Sequence, residues 1–274
     1  GTGSLTVTGT SVTTLTGVNT ATGATNVTGG TLNITGAGSV ASTAVNVSSG
    51  TLTTDSDALG AGTTVAVSGT GTFTSSGTDS FAALTQSGGT IDGSGVLTLS
   101  GAFTQSGGTT GGTVDINSAT LTQSGGAVIA AGTTVTSTGA QSLQGGTIAG
   151  NLDGAGAITA ASGTTDITGT VTNASGLTVS GGTVNVTGAG TVDTSGNLIT
   201  ISSGTLATDT DALANNETVS ISGGSYNVSG TDTIAALTQS GGVVDGAGTL
   251  TTTGAFTQSG GTTGGAVNID SATF

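Results

Sequence analysis

The fold of this chain can be read from the stretch Leu84-Thr-Gln-Ser-Gly-Gly-Thr-Ile-Asp-Gly-Ser-Gly-Val-Leu-Thr-Leu-Ser-Gly-Ala102. Its opening phrase, an apolar residue followed by Thr-Gln-Ser-Gly-Gly, starts again at Phe103 and at Leu121, after steps of 19 and then 18 residues. A short period with Gly-rich corners is typical of a solenoid, in which each repeat forms one coil.

The same stretch predicts the structure of one coil. Apolar side chains that alternate with polar ones indicate short strands at Leu84–Gln86, Thr90–Asp92 and Val96–Ser100. Gly-rich corners separate these strands, since Gly adopts positive φ without steric strain. We therefore predict an all-β chain, a right-handed parallel β-helix (β-solenoid) with about 19 residues and three short strands per coil.

Stacked coils place equivalent residues above one another at about 4.8 Å. We expect one inward column of large apolar side chains and a second of glutamines, whose amides can bond to the glutamines above and below. The apolar column comprises Leu84, Phe103 and Leu121, and the glutamine column comprises Gln86, Gln105, Gln123 and Gln144.

A longer repeat encloses the short one. The stretch Gly77–Leu121 returns 153 residues later as Gly230–Phe274. We predict one continuous solenoid over residues 1–274, with a full long repeat at 1–153 and a partial second repeat at 154–274. Because both ends fall inside repeats, we expect the solenoid to continue, either within a longer chain or by end-to-end contact with a second copy of itself.

Composition excludes several functions. Lys, Arg and His are absent, and the formal net charge is -14. Without basic side chains to neutralise phosphates, binding to nucleic acid or to an anionic membrane surface is not expected. The sequence has no apolar run of membrane-spanning length, so we expect no membrane insertion of this segment. Cys is also absent, which excludes disulfides and thiolate metal sites.

Acidic residues supply the sharpest candidate site. Asp55-Ser-Asp57-Ala-Leu returns as Asp209-Thr-Asp211-Ala-Leu. Two carboxylates one residue apart could help to hold Ca²⁺. The interpretation that we favour is an Asx-turn or a short helical corner, in which Asp bonds nearby backbone N–H groups. We therefore predict no metal site and no cofactor, while the sequence alone leaves calcium binding at these two motifs open.

Catalysis is not expected. A glycosidase needs paired carboxylates, and Asp92 and Asp115 occupy different positions in neighbouring coils. The second copy replaces Asp115 by Asn268, as suits a solvated surface charge. Without His there is no Ser-His-Asp triad. We predict no catalytic residue and no enzymatic activity.

Threonine pairs raise a different possibility. A regular Thr-x-Thr face on consecutive coils would suit ice binding, but the pairs look scattered along the sequence, and Thr is an ordinary outward residue of strands. The pairs that we considered are Thr6/Thr8, Thr134/Thr136, Thr170/Thr172 and Thr249/Thr251.

Two further phrases carry a family resemblance. Asp57-Ala-Leu-Gly-Ala-Gly-Thr-Thr-Val-Ala-Val67 and Gly29-Gly-Thr-Leu-Asn-Ile-Thr-Gly36 resemble the passenger repeats of bacterial autotransporters and haemagglutinin-type adhesins. The resemblance implies a secreted rod at the bacterial cell surface and carries over no functional residue.

We accordingly expect a structural extracellular rod, the fibre or stalk of a secreted bacterial adhesin or surface filament, whose host or surface ligand the sequence does not specify. The alternative is a ligand-binding solenoid, for ice or for calcium-dependent adhesion. A polysaccharide-active enzyme comes third.

Overall fold

The computed structural model describes residues 1–173 and 175–273 and shows a parallel β-solenoid. The chain makes about 14 turns with about 19 residues per turn and several short strands in each, as the repeat period predicts. The described residues contain no helix, in keeping with a composition rich in Thr, Val and Gly, all weak helix formers. The right-handed sense of the coil stays a prediction.

The strands are mostly two to five residues long, and four of them run longer. They are β1 Leu5–Val7, β2 Val12–Leu15, β3 Val18–Asn19, β4 Thr25–Val27, β5 Thr31–Ile34, β6 Ser39–Val40, β7 Ala44–Val47, β8 Thr51–Thr54, β9 Thr64–Val67, β10 Thr72–Ser75, β11 Thr78–Phe81, β12 Ala83–Gly93, β13 Val96–Leu99, β14 Ala102–Thr110, β15 Asp115–Ser118, β16 Thr120–Ser124, β17 Val128–Ile129, β18 Thr134–Ser137, β19 Gln141–Gln144, β20 Gly146–Ile148, β21 Asn151–Gly154, β22 Ile158–Ala160, β23 Thr164–Ile167, β24 Thr170–Asn173, β25 Leu177–Val179, β26 Thr183–Val186, β27 Thr191–Asp193, β28 Leu198–Ile201, β29 Thr205–Thr208, β30 Thr218–Ile221, β31 Ser225–Val228, β32 Thr231–Ile234, β33 Ala236–Gln239, β34 Val243–Gly246, β35 Thr249–Gln258, β36 Thr262–Thr263 and β37 Asn268–Thr273.

The chain forms two compact units, which we describe separately: residues 1–122 with 126–137, and residues 123–125 with 138–274. In the first unit, three faces of parallel strands surround the core. Face 1 contains β1, β4, β7, β9 and the first parts of β12 and β14; face 2 contains β2, β5, β8, β10, the last parts of β12 and β14, and β17; face 3 contains β3 paired with β6, and β11, β13, β15 and β18.

The second unit has the same internal arrangement, and its own three faces are numbered in the same way. Face 1 contains β19, β22, β25, β28, β30, β33 and the end of β35; face 2 contains β20, β23, β26, β29, β31, β34 and β36; face 3 contains β21, β24 and β27, and β32, the start of β35 and β37.

Inward columns of equivalent side chains form the core of each unit. Leu84 pairs with Phe103 on face 1, and the copied residues Leu237 and Phe256 pair in the same way. All four side chains are buried, as is Leu121 on β16. The period-two apolar pattern therefore predicted which side chains face inward.

The coil from Leu84 to Ala102 differs from expectation in one respect. The first two predicted strands join into the single strand β12, because backbone hydrogen bonding continues around the corner. The bend at this corner remains, with Gly89 at a φ of +64°. A Cβ atom on Gly89 would lie 2.1 Å from the carbonyl oxygen of Gly71, so the close approach of two coils also requires Gly here.

The prediction that Gln144 faces inward is wrong. Gln86 follows Leu84 by two residues and shares its face, whereas Gln144 directly follows Leu143 and therefore points to the opposite face. Leu143 is buried and Gln144 is exposed, and Gln141 occupies the inward position two residues before Leu143.

Candidate functional site

The first aspartate of each acidic motif bonds to the coil below it. Oδ2 of Asp55 accepts a hydrogen bond from the backbone N–H of Gly36 at 2.6 Å. Oδ2 of Asp209 accepts one from Gly188 at the same distance. Both glycines have positive φ, so each carboxylate stabilises a tight turn in the preceding coil.

The second aspartate of each motif forms the turn itself. Asp57 and Asp211 are exposed and have φ angles of 58° and 53°, in the left-handed region that Asp tolerates better than most residues. Their backbone N–H groups donate to the carbonyl oxygens of Thr78 and Thr231, each at 2.9 Å.

The two aspartates of a motif thus have different roles: the first accepts a hydrogen bond from the preceding coil, and the second lies in the turn of its own coil. Asp55 and Asp209 use one carboxylate oxygen for a backbone amide, whereas Asp57 and Asp211 present theirs to solvent. Within residues 1–173 and 175–273, no three acidic side chains come close enough together to form a metal-binding group.

A buried aspartate in the next coil, which the sequence analysis missed, completes each corner. Asp79 is fully buried, and its Oδ1 accepts hydrogen bonds from the backbone N–H groups of Ala58 at 2.8 Å and Leu59 at 3.2 Å. Asp232 is equally buried, and its Oδ1 accepts one from Leu213 at 3.2 Å. The corner interrupts the face 3 ladder, so these carboxylates pair amides that would otherwise lack a partner.

The sequence did contain a signal for these residues. Asp79 lies two positions before the inward Phe81, and Asp232 lies two positions before the inward Ile234. Period-two alternation places all four side chains inside. The repeated Gly-Thr-Asp phrase therefore marked an inward carboxylate in both copies.

Burial changes the acidity of both groups. Desolvation raises the pKa of Asp232 to about 6, although the hydrogen bond from Leu213 and the nearby hydroxyl group of Thr208 partly oppose the rise. Desolvation also raises the pKa of Asp79 above its usual value, and the negative charge of Asp55 adds to the rise. Both carboxyl groups thus bind a proton more readily than an exposed aspartate does.

The two corners differ in one neighbour. Tyr226 is fully buried, and its hydroxyl group lies 3.5 Å from Oδ2 of Asp232. The equivalent residue in the first unit is Phe73, which has no hydroxyl group to offer Asp79. Among the described atoms, Oδ2 of Asp79 has no hydrogen-bond partner. The equivalence rests on register, since Tyr226 pairs with Leu206 and Val244 and Phe73 pairs with Leu52 and Ile91.

Glu217 is a further buried acid that the sequence analysis did not single out. Its Oε1 accepts hydrogen bonds from the backbone N–H groups of Thr194 at 2.8 Å and Gly196 at 3.4 Å, and the hydroxyl group of Thr194 donates to Oε2. The equivalent residue in the first unit is Thr63, which donates to the carbonyl oxygen of Ser42 at 2.6 Å. The turn that Glu217 contacts in the preceding coil is longer than its counterpart in the first copy. The longer side chain of Glu217 reaches the amides of this turn.

The predicted glutamine column is present on face 1. Nε2 of Gln105 donates to Oε1 of Gln86 at 2.9 Å, and the hydroxyl group of Thr110 donates to the same oxygen at 2.8 Å. In the second unit, Nε2 of Gln258 donates to Oε1 of Gln239 at 3.1 Å. The inward amides therefore bond from coil to coil.

Threonines form more regular columns than the sequence suggested. Five half-buried threonines on face 2 of the first unit follow one another in register. The column comprises Thr31, Thr51, Thr72, Thr90 and Thr109. The pair Thr51/Thr53 lies directly beside Thr72/Thr74, and in the second unit Thr231/Thr233 lies beside Thr249/Thr251. The expectation that Thr-x-Thr pairs are scattered is therefore wrong at these two places, although Asp or Asn interrupts each array after two coils.

The aspartates considered for catalysis lie apart in the coil. Asp92 is exposed near the end of β12 on face 2, and Asp115 is exposed at the start of β15 on face 3. They therefore do not share a face.

The part of the chain that the structure describes also contains no helix with the length and apolar character needed to cross a lipid bilayer.

Comparison with known proteins finds no match to this chain among protein-family models, curated proteins or solved structures.

Proposed function

We propose that this chain is a segment of a structural rod. The observation that carries the proposal is the duplication: both copies place the same apolar, glutamine and aspartate side chains at equivalent points of the coil. Their side-chain contacts bond one coil to the next. Repetition of this kind favours a structure extended by adding coils, since each coil contacts only its neighbours.

We further propose that the rod is extracellular, as the stalk or fibre of a bacterial adhesin or surface filament. The resemblance of the Asp57–Val67 phrase to autotransporter and haemagglutinin-type repeats supports this role. A chain without Lys or Arg offers trypsin no cleavage site, which suits exposure to proteases. In this role the chain needs no catalytic residue or cofactor, and its partners are further copies of the repeat, in one longer chain or end to end.

Immunogold labelling tests the proposed location. Antibodies raised against the purified chain should label the surface of intact cells of the source organism, and a strain lacking the gene should show no label. Label confined to permeabilised cells would contradict an extracellular role. Loss of cell adhesion in the deletion strain would support an adhesin stalk, whereas unchanged adhesion would favour a surface filament.

The threonine column of face 2 favours ice binding as a second candidate. Its five half-buried members follow one another in register along face 2, with a spacing of about 4.8 Å between neighbours. A thermal hysteresis measurement tests this candidate. Ice binding predicts hysteresis in the intact chain and its loss in the Thr51→Tyr and Thr72→Tyr variants, whereas no hysteresis in the intact chain excludes the candidate.

A further inference from the structure

The charge of the buried aspartates cannot be neutralised by any side chain of this protein. The chain has no Lys, Arg or His. An internal ion pair for Asp79 or Asp232 is therefore impossible, yet both side chains are fully buried. A buried carboxylate without a cation must be stabilised by hydrogen-bond donors or must bind a proton.

The donors around these groups satisfy only part of each carboxylate. Oδ1 of Asp79 accepts hydrogen bonds from two backbone N–H groups, but Oδ2 has no hydrogen-bond partner within the described part of the chain. The hydroxyl group of Thr54 lies close enough to lower the pKa of Asp79 without reaching hydrogen-bond geometry. In the second unit, Oδ2 of Asp232 has the Tyr226 hydroxyl at 3.5 Å, the upper limit of a hydrogen bond.

The other groups around each aspartate are acidic or uncharged. The coil below contributes the acidic motif, Asp55 and Asp57 in the first unit and Asp209 and Asp211 in the second. The coil above contributes an apolar side chain, since Asp79 pairs with Leu97 and Asp232 pairs with Leu250. From its own coil, Asp232 also meets Tyr226. Burial therefore disfavours a negative charge on both aspartates, and the charge of Asp55 further disfavours one on Asp79.

We propose that Asp79 and Asp232 are proton-binding sites, and that the neutral carboxyl group of each closes the corner of the coil below. Oδ1 continues to accept the backbone amides of that corner. Oδ2 is protonated by hydronium from the solvent, and the resulting O–H donates a hydrogen bond to the hydroxyl oxygen of the neighbouring threonine, Thr54 or Thr208. An unpaired threonine hydroxyl occurs at the equivalent place beside the aspartate in both units. This supports the same role for Asp79 and Asp232.

The direction of the pH effect follows from the pKa of Asp232. Its pKa is about 6 in the folded chain against an ordinary value of 3.8, so the folded state binds the proton more tightly than the unfolded state. The stabilisation is therefore complete below about pH 4. It is lost as the pH rises through about 6. Asp79 acts in the same direction, since its pKa is also raised.

The test measures protonation and stability in the intact chain. Carboxyl carbon NMR should show Asp232 titrating near pH 6 and Asp79 titrating above the ordinary value of an aspartate. Urea unfolding should show an equilibrium constant for unfolding that increases between pH 4 and pH 7, at most about a hundredfold from Asp232. The Asp79→Asn and Asp232→Asn variants mimic the neutral acid, so each should reduce this pH dependence, while Asp270→Asn should not.

Three results would overturn the proposal. In the first, Asp79 and Asp232 titrate at or below the ordinary value of an aspartate, 3.8. In the second, the asparagine variants keep the full pH dependence of the intact chain. In the third, millimolar Ca²⁺ stabilises the intact chain at pH 7 and the Asp79→Asn and Asp232→Asn variants lose that effect, which would assign the corners to a metal ion instead of a proton.

Discussion

The hydroxyl group of Tyr226 lies 3.5 Å from Oδ2 of Asp232, whereas the equivalent position beside Asp79 is occupied by Phe73. The two copies can therefore be compared directly. The buried carboxyl group of Asp232 has a phenol hydroxyl beside it, and that of Asp79 has none. Both corners nevertheless keep the same backbone contacts, from Leu59 to Asp79 and from Leu213 to Asp232.

The Tyr226→Phe variant should make the second corner resemble the first. Because the Tyr226 hydroxyl lowers the pKa of Asp232, its removal should raise that pKa further above 6. The loss of one long hydrogen bond should cost about 0.5–1 kcal/mol of unfolding free energy. Carbon NMR of Asp232 and urea unfolding measure the two effects. A lower pKa for Asp232 in the variant would show that the hydroxyl group does not act on the carboxyl group.

The Gln86→Leu variant tests the inward amide column. It removes the oxygen that accepts from Gln105 and Thr110, and it leaves a buried amide and a buried hydroxyl group with fewer partners. The expected loss of stability is about 1–3 kcal/mol. The control is Gln144→Leu, an exposed glutamine that should change stability little. Equal effects of the two substitutions would contradict the column.

The Glu217→Ala variant tests the turn that is specific to the second copy. It removes the carboxylate that accepts the buried amide of Thr194 and the amide of the exposed Gly196, so both lose this acceptor. We expect a loss of about 1–3 kcal/mol in urea unfolding. The exposed neighbour Asn216 provides the control, and Asn216→Ala should be nearly neutral. A neutral Glu217→Ala variant would mean that the turn does not depend on the carboxylate.

The Gly89→Ala variant tests the close approach of coils at a corner. The positive φ of this residue and the 2.1 Å separation between an added Cβ atom and the Gly71 carbonyl oxygen should together cost more than about 1 kcal/mol. Gly126 is a suitable control, because a Cβ atom there would meet nothing within 4 Å. The melting temperature of Gly89→Ala should therefore be well below that of Gly126→Ala. A higher melting temperature for Gly89→Ala would contradict the corner geometry.

The parts of this fold that depend on local alternation were predictable from the sequence. Leu84 and Phe103 share a column because the phrase returns after 19 residues, one full turn of the coil. The role of Asp79 was not predictable in the same way. Its partners, the amides of Ala58 and Leu59, belong to another coil, and they need an acceptor because the turn at Asp57 interrupts the strand there.

The length of the particle under the electron microscope tests the central claim, that the chain is a segment of a structural rod, most directly. About 14 turns at about 4.8 Å predict a rod of about 70 Å for the intact chain. A chain lengthened by one further copy of residues 1–153 should be about 40 Å longer, with the same width. Particles that grow in width instead of length when the copy is added, or compact particles without a long axis, would contradict the account.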